Sequence, residues 1–178
     1  ACGAGDEARA LLWRFVEAHV QDDGAPAYAL MRSLTEQGDG DGLRRLADLF
    51  RGTVPVFALW CDVQRARRQA DWPALEASVR ALLELSPGSH GARGTLAQMY
   101  MDTGRFSDAQ ACYADLVELL EETGGVYWDH MSAATAAGDW EAVRRSAGAI
   151  GMELSSTEGV IEEQWGWVII RSSDGGEP

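Results

Sequence analysis

The sequence predicts an all-α fold in which antiparallel helix hairpins stack into a solenoid, and three observations carry that prediction. First, three segments recur 34 residues apart without a gap: Ala70-Asp71-Trp72, Gly104-Arg105-Phe106 and Gly138-Asp139-Trp140 each place a small residue, a polar residue and an aromatic in a short turn. Second, each turn is followed by helix-type sequence with apolar residues at the same offsets. A unit of that length cannot bury its apolar face alone and completes its core against its neighbours. Third, no segment alternates polar and apolar residues strongly enough for a sheet.

Taken in order, Glu7 to Val20 reads as a helix, with Leu11, Leu12, Phe15 and Val16 on one face. Asp22-Asp23-Gly24 ends it, and Pro26 suits the first turn of a second helix that runs to about Gln37, burying Ala27, Leu30, Met31 and Leu34. Gly38-Asp39-Gly40-Asp41-Gly42 reads as a flexible turn. Leu43 to Phe50 is a short helix, broken by Gly52-Thr53-Val54-Pro55. Then come three hairpins: Val56 to Gln69 with Pro73 to Leu85, His90 to Thr103 with Ser107 to Glu122, and Val126 to Ala137 with Trp140 to Met152. A last helix over 158–171 is expected, capped by Ser155 or Ser156, with Glu158 in its first turn and Ile161, Trp165, Val168 and Ile169 on its face. Trp167 to Ile170 is β-prone by composition but continues that helical face.

Bulk properties bound the function. The 178 residues suit one domain or one compact solenoid, and a 46% hydrophobic content excludes a disordered chain. No run of 18 apolar residues occurs, so no spanning helix is expected. A net charge of −13 argues against nonspecific attraction to nucleic acid and anionic lipid. The charge is uneven: residues 44–80 carry seven Arg against four acids, whereas 81–178 carry five Arg against sixteen. That middle segment is either a solvated surface or the seat of a bound segment of mixed charge. All fifteen basic residues are arginine, which points to a GC-rich bacterial coding sequence. Cys2, Cys61 and Cys112 form no disulfide framework, and reduced thiols fit a cytoplasmic setting.

The repeat resembles the tetratricopeptide repeat (TPR) family. The best unit is 90–123, with Leu96, Ala97, Tyr100, Gly104, Phe106, Ala109, Tyr113, Leu116 and Val117 at the family's positions, although Arg93 stands where an aromatic or leucine is usual. The unit 56–89 carries Leu59, Val63, Ala66, Trp72, Leu75, Val79, Leu82 and Pro87, with Asp62 in place of a leucine and Ala70 in place of the turn glycine. The unit 124–157 carries Tyr127, Met131, Ala134, Gly138, Trp140, Val143 and Ala147, with His130 in place of a leucine. Residues 24–55 fit a divergent unit two residues short. The resemblance implies a right-handed superhelix: one helical-repeat domain over 1–172 with divergent helices at 7–55, three repeats at 56–157, a capping helix at 158–171 and a flexible tail at 173–178. Trp72, Phe106 and Trp140 then belong to packing within and between repeats, with an aromatic ligand cage as the alternative.

The resemblance also implies that the first helix of each unit lines a concave groove. Its inward positions are Phe57, Trp60, Cys61, Gln64, Arg67 and Arg68; Gly91, Gly94, Thr95, Gln98, Met101 and Asp102; and Gly125, Trp128, Asp129, Ser132 and Thr135. The partner-binding candidates among them are Trp60, Gln64, Arg67, Arg68, Gln98, Met101, Asp102, Trp128, Asp129 and Ser132. Trp60 and Trp128 share one repeat position and either wall the groove or pack against the end helices. Some family members clamp a partner's terminal carboxylate with Lys, Asn and Arg, but this chain has neither Lys nor Asn, and Trp60 and Gln64 stand at the first two clamp positions. Arg67 or Arg68 is left to contact a carboxylate, or to lie solvated beside Asp62 and Asp71. Gly91 and Gly94 leave the middle of the groove shallow, at a cost to helix stability.

Catalytic and metal chemistry is not expected. His19, His90 and His130 have no partner at metal-ligand spacing, Cys61 and Cys112 sit in no nucleophile motif, and Glu162-Glu163 do not face each other on a helix. Gly38 to Gly42 lacks the Lys and Ser/Thr of a phosphate cradle, and no cofactor is implied. The expected function is a non-catalytic protein- or peptide-binding scaffold. The alternative is an interaction or homodimerisation region of a larger multidomain regulator or enzyme, using the C-terminal helix through Trp167 and Ile170.

Overall fold

The computed structural model describes residues 3–21, 24–120, 124–151, 160–163 and 166–169. They form nine helices followed by one short hairpin. The helices are α1 (Gly3–Ala18), α2 (Ala25–Gln37), α3 (Gly40–Phe50), α4 (Pro55–Arg68), α5 (Trp72–Leu85), α6 (His90–Asp102), α7 (Phe106–Leu119), α8 (Gly124–Ala137) and α9 (Trp140–Ala149). The chain divides into two compact units, Ala1–Ala92 and Arg93–Pro178.

Four helix pairs, α2–α3, α4–α5, α6–α7 and α8–α9, close on one turn geometry. The residue that ends each first helix is left-handed: Gly38 (φ 70°), Ala70 (φ 51°), Gly104 (φ 73°) and Gly138 (φ 77°). The next amide then reaches back to the helix, as Asp39 N–H donates to Leu34 O at 2.9 Å, Asp71 to Ala66 at 2.9 Å, Arg105 to Tyr100 at 2.8 Å and Asp139 to Ala134 at 2.9 Å. This is the hydrogen bond that satisfies the last carbonyls of a helix. In three of the turns the same residue caps the following helix. Asp39, Asp71 and Asp139 carboxylates accept from the Gly42, Ala74 and Ala142 amides at 2.8, 3.2 and 3.0 Å. The Asp139 carboxyl is held below its usual value chiefly by that amide, and next by Gln110. The segment from Gly38 to Gly42 is therefore not a loose turn but a helix end and a helix start. A Cβ on Gly42 would come within 2.6 Å of Leu34 Cδ2 and 2.7 Å of Asp39 Oδ2, so a larger residue there would displace the buried leucine or the capping carboxylate.

In the first unit α1 packs on α2, α2 on α3 and α4, α3 on α4, and α4 on α5. Leu30, Leu34, Leu43, Leu46, Phe50, Phe57 and Cys61 are the centre of its core, with Val16 of α1 against them. Phe57 meets Phe50 and Tyr28 edge to face, with ring centroids 4.8 and 5.0 Å apart. Asp62, at a position where the repeat pattern has leucine, is 13% exposed at its side chain and accepts from both terminal nitrogens of Arg51 at 3.1 Å, with Arg65 at 3.6 Å. The polar residue is tolerated because Arg51, at the end of α3, supplies its counter-charge. In the second unit α7 packs on α8 and α8 on α9. Met131, Ala134, Ala142, Val143 and Ala147 form a core between α8 and α9, partly covered by Trp128 and Trp140. The other turn aromatics, Trp72 and Phe106, are also partly buried.

The end of the chain departs from expectation. In place of a helix over 158–171, β1 (Val160–Glu163) and β2 (Gly166–Ile169) pair antiparallel, with Val160 opposite Ile169 and Glu163 opposite Gly166. Val160, Ile161, Val168 and Ile169 are β-branched and Trp167 is aromatic, residues that favour the pleated state, while Gly166 weakens a helix. Ser155, Ser156, Glu158, Trp165, Ile170 and the tail from 173 lie outside the described residues.

Candidate functional site

Alternate helices of the first unit, α2 and α4, are neighbours, and an open cleft of about 510 Å³ runs along α2 beside Gln64 of α4. It is lined by Ala25, Tyr28, Ala29, Met31, Arg32, Thr35 and Gln64. Tyr28, Arg32 and Thr35 fall three and four apart on one helix, so they share a face. Ala25, Ala29 and Met31 give the cleft small and apolar lining residues. The Tyr28 ring, 43% exposed, is steadied from below by Phe57. Thr35 spends its hydroxyl on the Met31 carbonyl at 2.8 Å. Gln64 is half-buried, and its amide makes no hydrogen bond to a described residue.

The arginines stand at the C-terminal end of α4. Arg67 and Arg68 are exposed, and an Arg68 guanidinium nitrogen lies 3.5 Å from the Glu36 carbonyl at the end of α2. Arg32 lies 3.9 Å from Glu36, both well exposed, a pairing of little energetic weight. Three basic side chains in the last turn of α4 also complement the helix dipole.

Two of the inward positions of α4 are core. Phe57 and Cys61 are fully buried against α2 and α3. The apolar face of α4 is wider than its repeat pattern alone implies, because the divergent helices ahead of it pack there. Burial, with the neighbouring Asp62 charge second, pushes the Cys61 thiol up to about 12, so it stays protonated and unreactive. Trp60 is half-buried, and the edge of its indole lies against Gly91: a Cβ on Gly91 would meet it at 3.5 Å, an ordinary contact. Trp60 thus walls one side of the space beside Gly91, which would still admit a methyl.

In the second unit, Trp128 rests on the α8–α9 core. Ser132 donates its hydroxyl to the Trp128 carbonyl at 2.9 Å, and Gln98 donates to Asp102 at 2.9 Å within α6. Met101 is half-buried, and Asp102 and Asp129 are exposed. The buried Tyr113 phenol of α7 is pushed up to about 12 by burial first and then by the Asp129, Asp102 and Cys112 charges. Partial burial of its own carboxyl raises Asp129 above the usual carboxylate value. The charged candidates of this unit, Asp102 and Asp129, are acidic, whereas the candidates of the first unit are basic and neutral. Trp167 lies in β2 rather than on a helix, and Ile170 is outside the described residues.

Gln64 is a groove candidate from the sequence, whereas Tyr28 and Arg32, which line the same cleft, are not. The signal was present: Ala25, Tyr28, Arg32 and Thr35 recur at helical spacing opposite Ala27, Leu30 and Leu34. Among the described residues no three His, Cys, Asp or Glu side chains converge as a metal site, and no described helix is long and apolar enough to cross a membrane. No protein-family model matches the sequence, and no curated protein is significantly similar to it.

Proposed function

We propose that the chain is a non-catalytic scaffold of tetratricopeptide type that holds a protein or peptide segment, with the cleft along α2 and Gln64 as its seat in the first unit. The observation that supports this most is the unspent amide of Gln64 in a cleft that also presents Ala29, Met31 and the exposed ring of Tyr28. A carboxamide offers a donor and an acceptor together, the pair that an extended peptide backbone presents. A tyrosine ring adds rigid contact area at low entropic cost.

A displayed random-peptide library selected on the intact chain tests the proposal. Enriched peptides are expected to lose affinity by roughly tenfold or more when Tyr28→Ala and Gln64→Ala are combined. Melting of the variant checks that the Phe57 side of the core survives. Peptides that bind the folded double variant as tightly as the wild type, or no enrichment at all, would overturn the assignment.

A further inference from the structure

The second unit contains a cleft that the repeat pattern does not explain. It has a volume of about 570 Å³ and lies among α7, α8 and α9. Its lining includes His130 and Ser146, the buried polar side chains among the described residues, with 8% and 3% exposure. His130 Nδ1 lies 2.6 Å from Ser146 Oγ. His130 stands where the repeat resemblance has leucine, so an apolar residue would satisfy packing; the imidazole brings a polar partner with it.

That pair has the components of a nucleophile and base, but its setting does not serve attack. Ser146 lies inside α9, where backbone amides are consumed by the helix, so no N–H pair is available beside it to hold an oxyanion. What the pair leaves open is Nε2 of the ring, which makes no hydrogen bond to a described residue. On the same lining are Arg145 and Glu118, both exposed and neither in an ion pair with a described residue, together with the apolar surfaces of Ala114 and Val117. When the Ser146 hydroxyl donates to Nδ1, Nε2 carries the ring proton, and a guanidinium fork with that N–H is complementary to a carboxylate. The apolar wall suits a hydrocarbon body.

We propose that this cleft binds a small carboxylate with an apolar body, held by Arg145 and by His130 oriented through Ser146. The carboxylate comes either from a simple organic acid or from an amino acid, whose ammonium group would meet Glu118. The site is separate from the peptide seat of the first unit and does not depend on it.

Three probes with one hydrocarbon body separate the possibilities: 3-phenylpropionate, phenylalanine and phenethylamine. Ring-carbon NMR of His130 in the intact chain reads binding directly. A saturable shift with 3-phenylpropionate or phenylalanine, and none with phenethylamine, is expected. Arg145→Gln, an exposed change, is expected to weaken that binding about tenfold or more. If phenylalanine binds the tighter of the two acids and loses that advantage in Glu118→Gln, the ligand is an amino acid; otherwise it is a simple acid. No saturable shift with either acid, an equal shift with phenethylamine, or unchanged binding in folded Arg145→Gln overturns the proposal.

Discussion

Replacing Ala70 by glycine is expected to stabilise the protein although it removes a methyl group. Ala70 has φ 51°, and it is the non-glycine residue with positive φ among the described residues, at a position where the other three hairpins have Gly38, Gly104 and Gly138. An L-residue in the left-handed region costs about 1–2 kcal/mol, from the approach of Cβ to the following carbonyl. Its methyl is exposed, so no packing is lost with it. Against the relief stands the greater backbone freedom of glycine in the unfolded chain, about 0.4–1 kcal/mol. The difference leaves about 0.5–1 kcal/mol in favour of Ala70→Gly. For a chain of this size each kcal/mol moves the melting temperature by roughly 2–4 °C. Calorimetry and urea unfolding read the change, and hydrogen exchange at the Asp71 amide, bonded to Ala66 O at 2.9 Å, reads it locally. Gly104→Ala and Gly138→Ala should shift stability the other way by a similar amount. An Ala70→Gly protein no more stable than the wild type, with Gly104→Ala equally neutral, would refute the reasoning.

Further outcomes rest on other residues. Gly94 lies inside α6 with nothing within 4 Å of the place a methyl would take, so Gly94→Ala should gain about 1 kcal/mol of stability in urea titration. His130 has its pKa lowered from 6.5 by burial and then by Arg145, with Asp139 opposing, so the unfolded chain binds the proton more readily. Its contribution is therefore fully present above pH 6.5 and lost as pH falls toward the folded value, and His130→Gln should flatten that part of the curve of urea midpoint against pH. Phe57→Ala, which empties a fully buried aromatic position, should cost about 3–5 kcal/mol by the same titration. In the native protein Cys61 should react with a maleimide far more slowly than half-buried Cys112, and mass mapping of the labelled thiol checks this.

The helix hairpins were legible because their turns are written locally. A left-handed residue, a following polar residue and an aromatic fix the end of one helix and the start of the next through bonds that span only a few residues. The candidate site was less legible. Phe57, Cys61 and Gln64 all fell on the inward side of α4 by spacing, yet two are core and the third lines the cleft. Spacing gives the direction of a side chain, while the neighbour that covers it is set by α2 and α3. Gly91 read as open space, and the structure bounds that space on one side with the indole of Trp60 from α4.

Local sequence is enough to place the ends of the helices between residue 25 and Ala149 to within a few residues, and to say which apolar stripe each one buries. Those are consequences of backbone capping and of a 3.6-residue period. Packing between elements sets how wide each buried stripe is, and so whether Trp128 walls a groove or rests on the α8–α9 core. It also makes the apolar residues after 159 pair as strands, because a short β-branched run satisfies either period and only the partner across the ladder chooses between them.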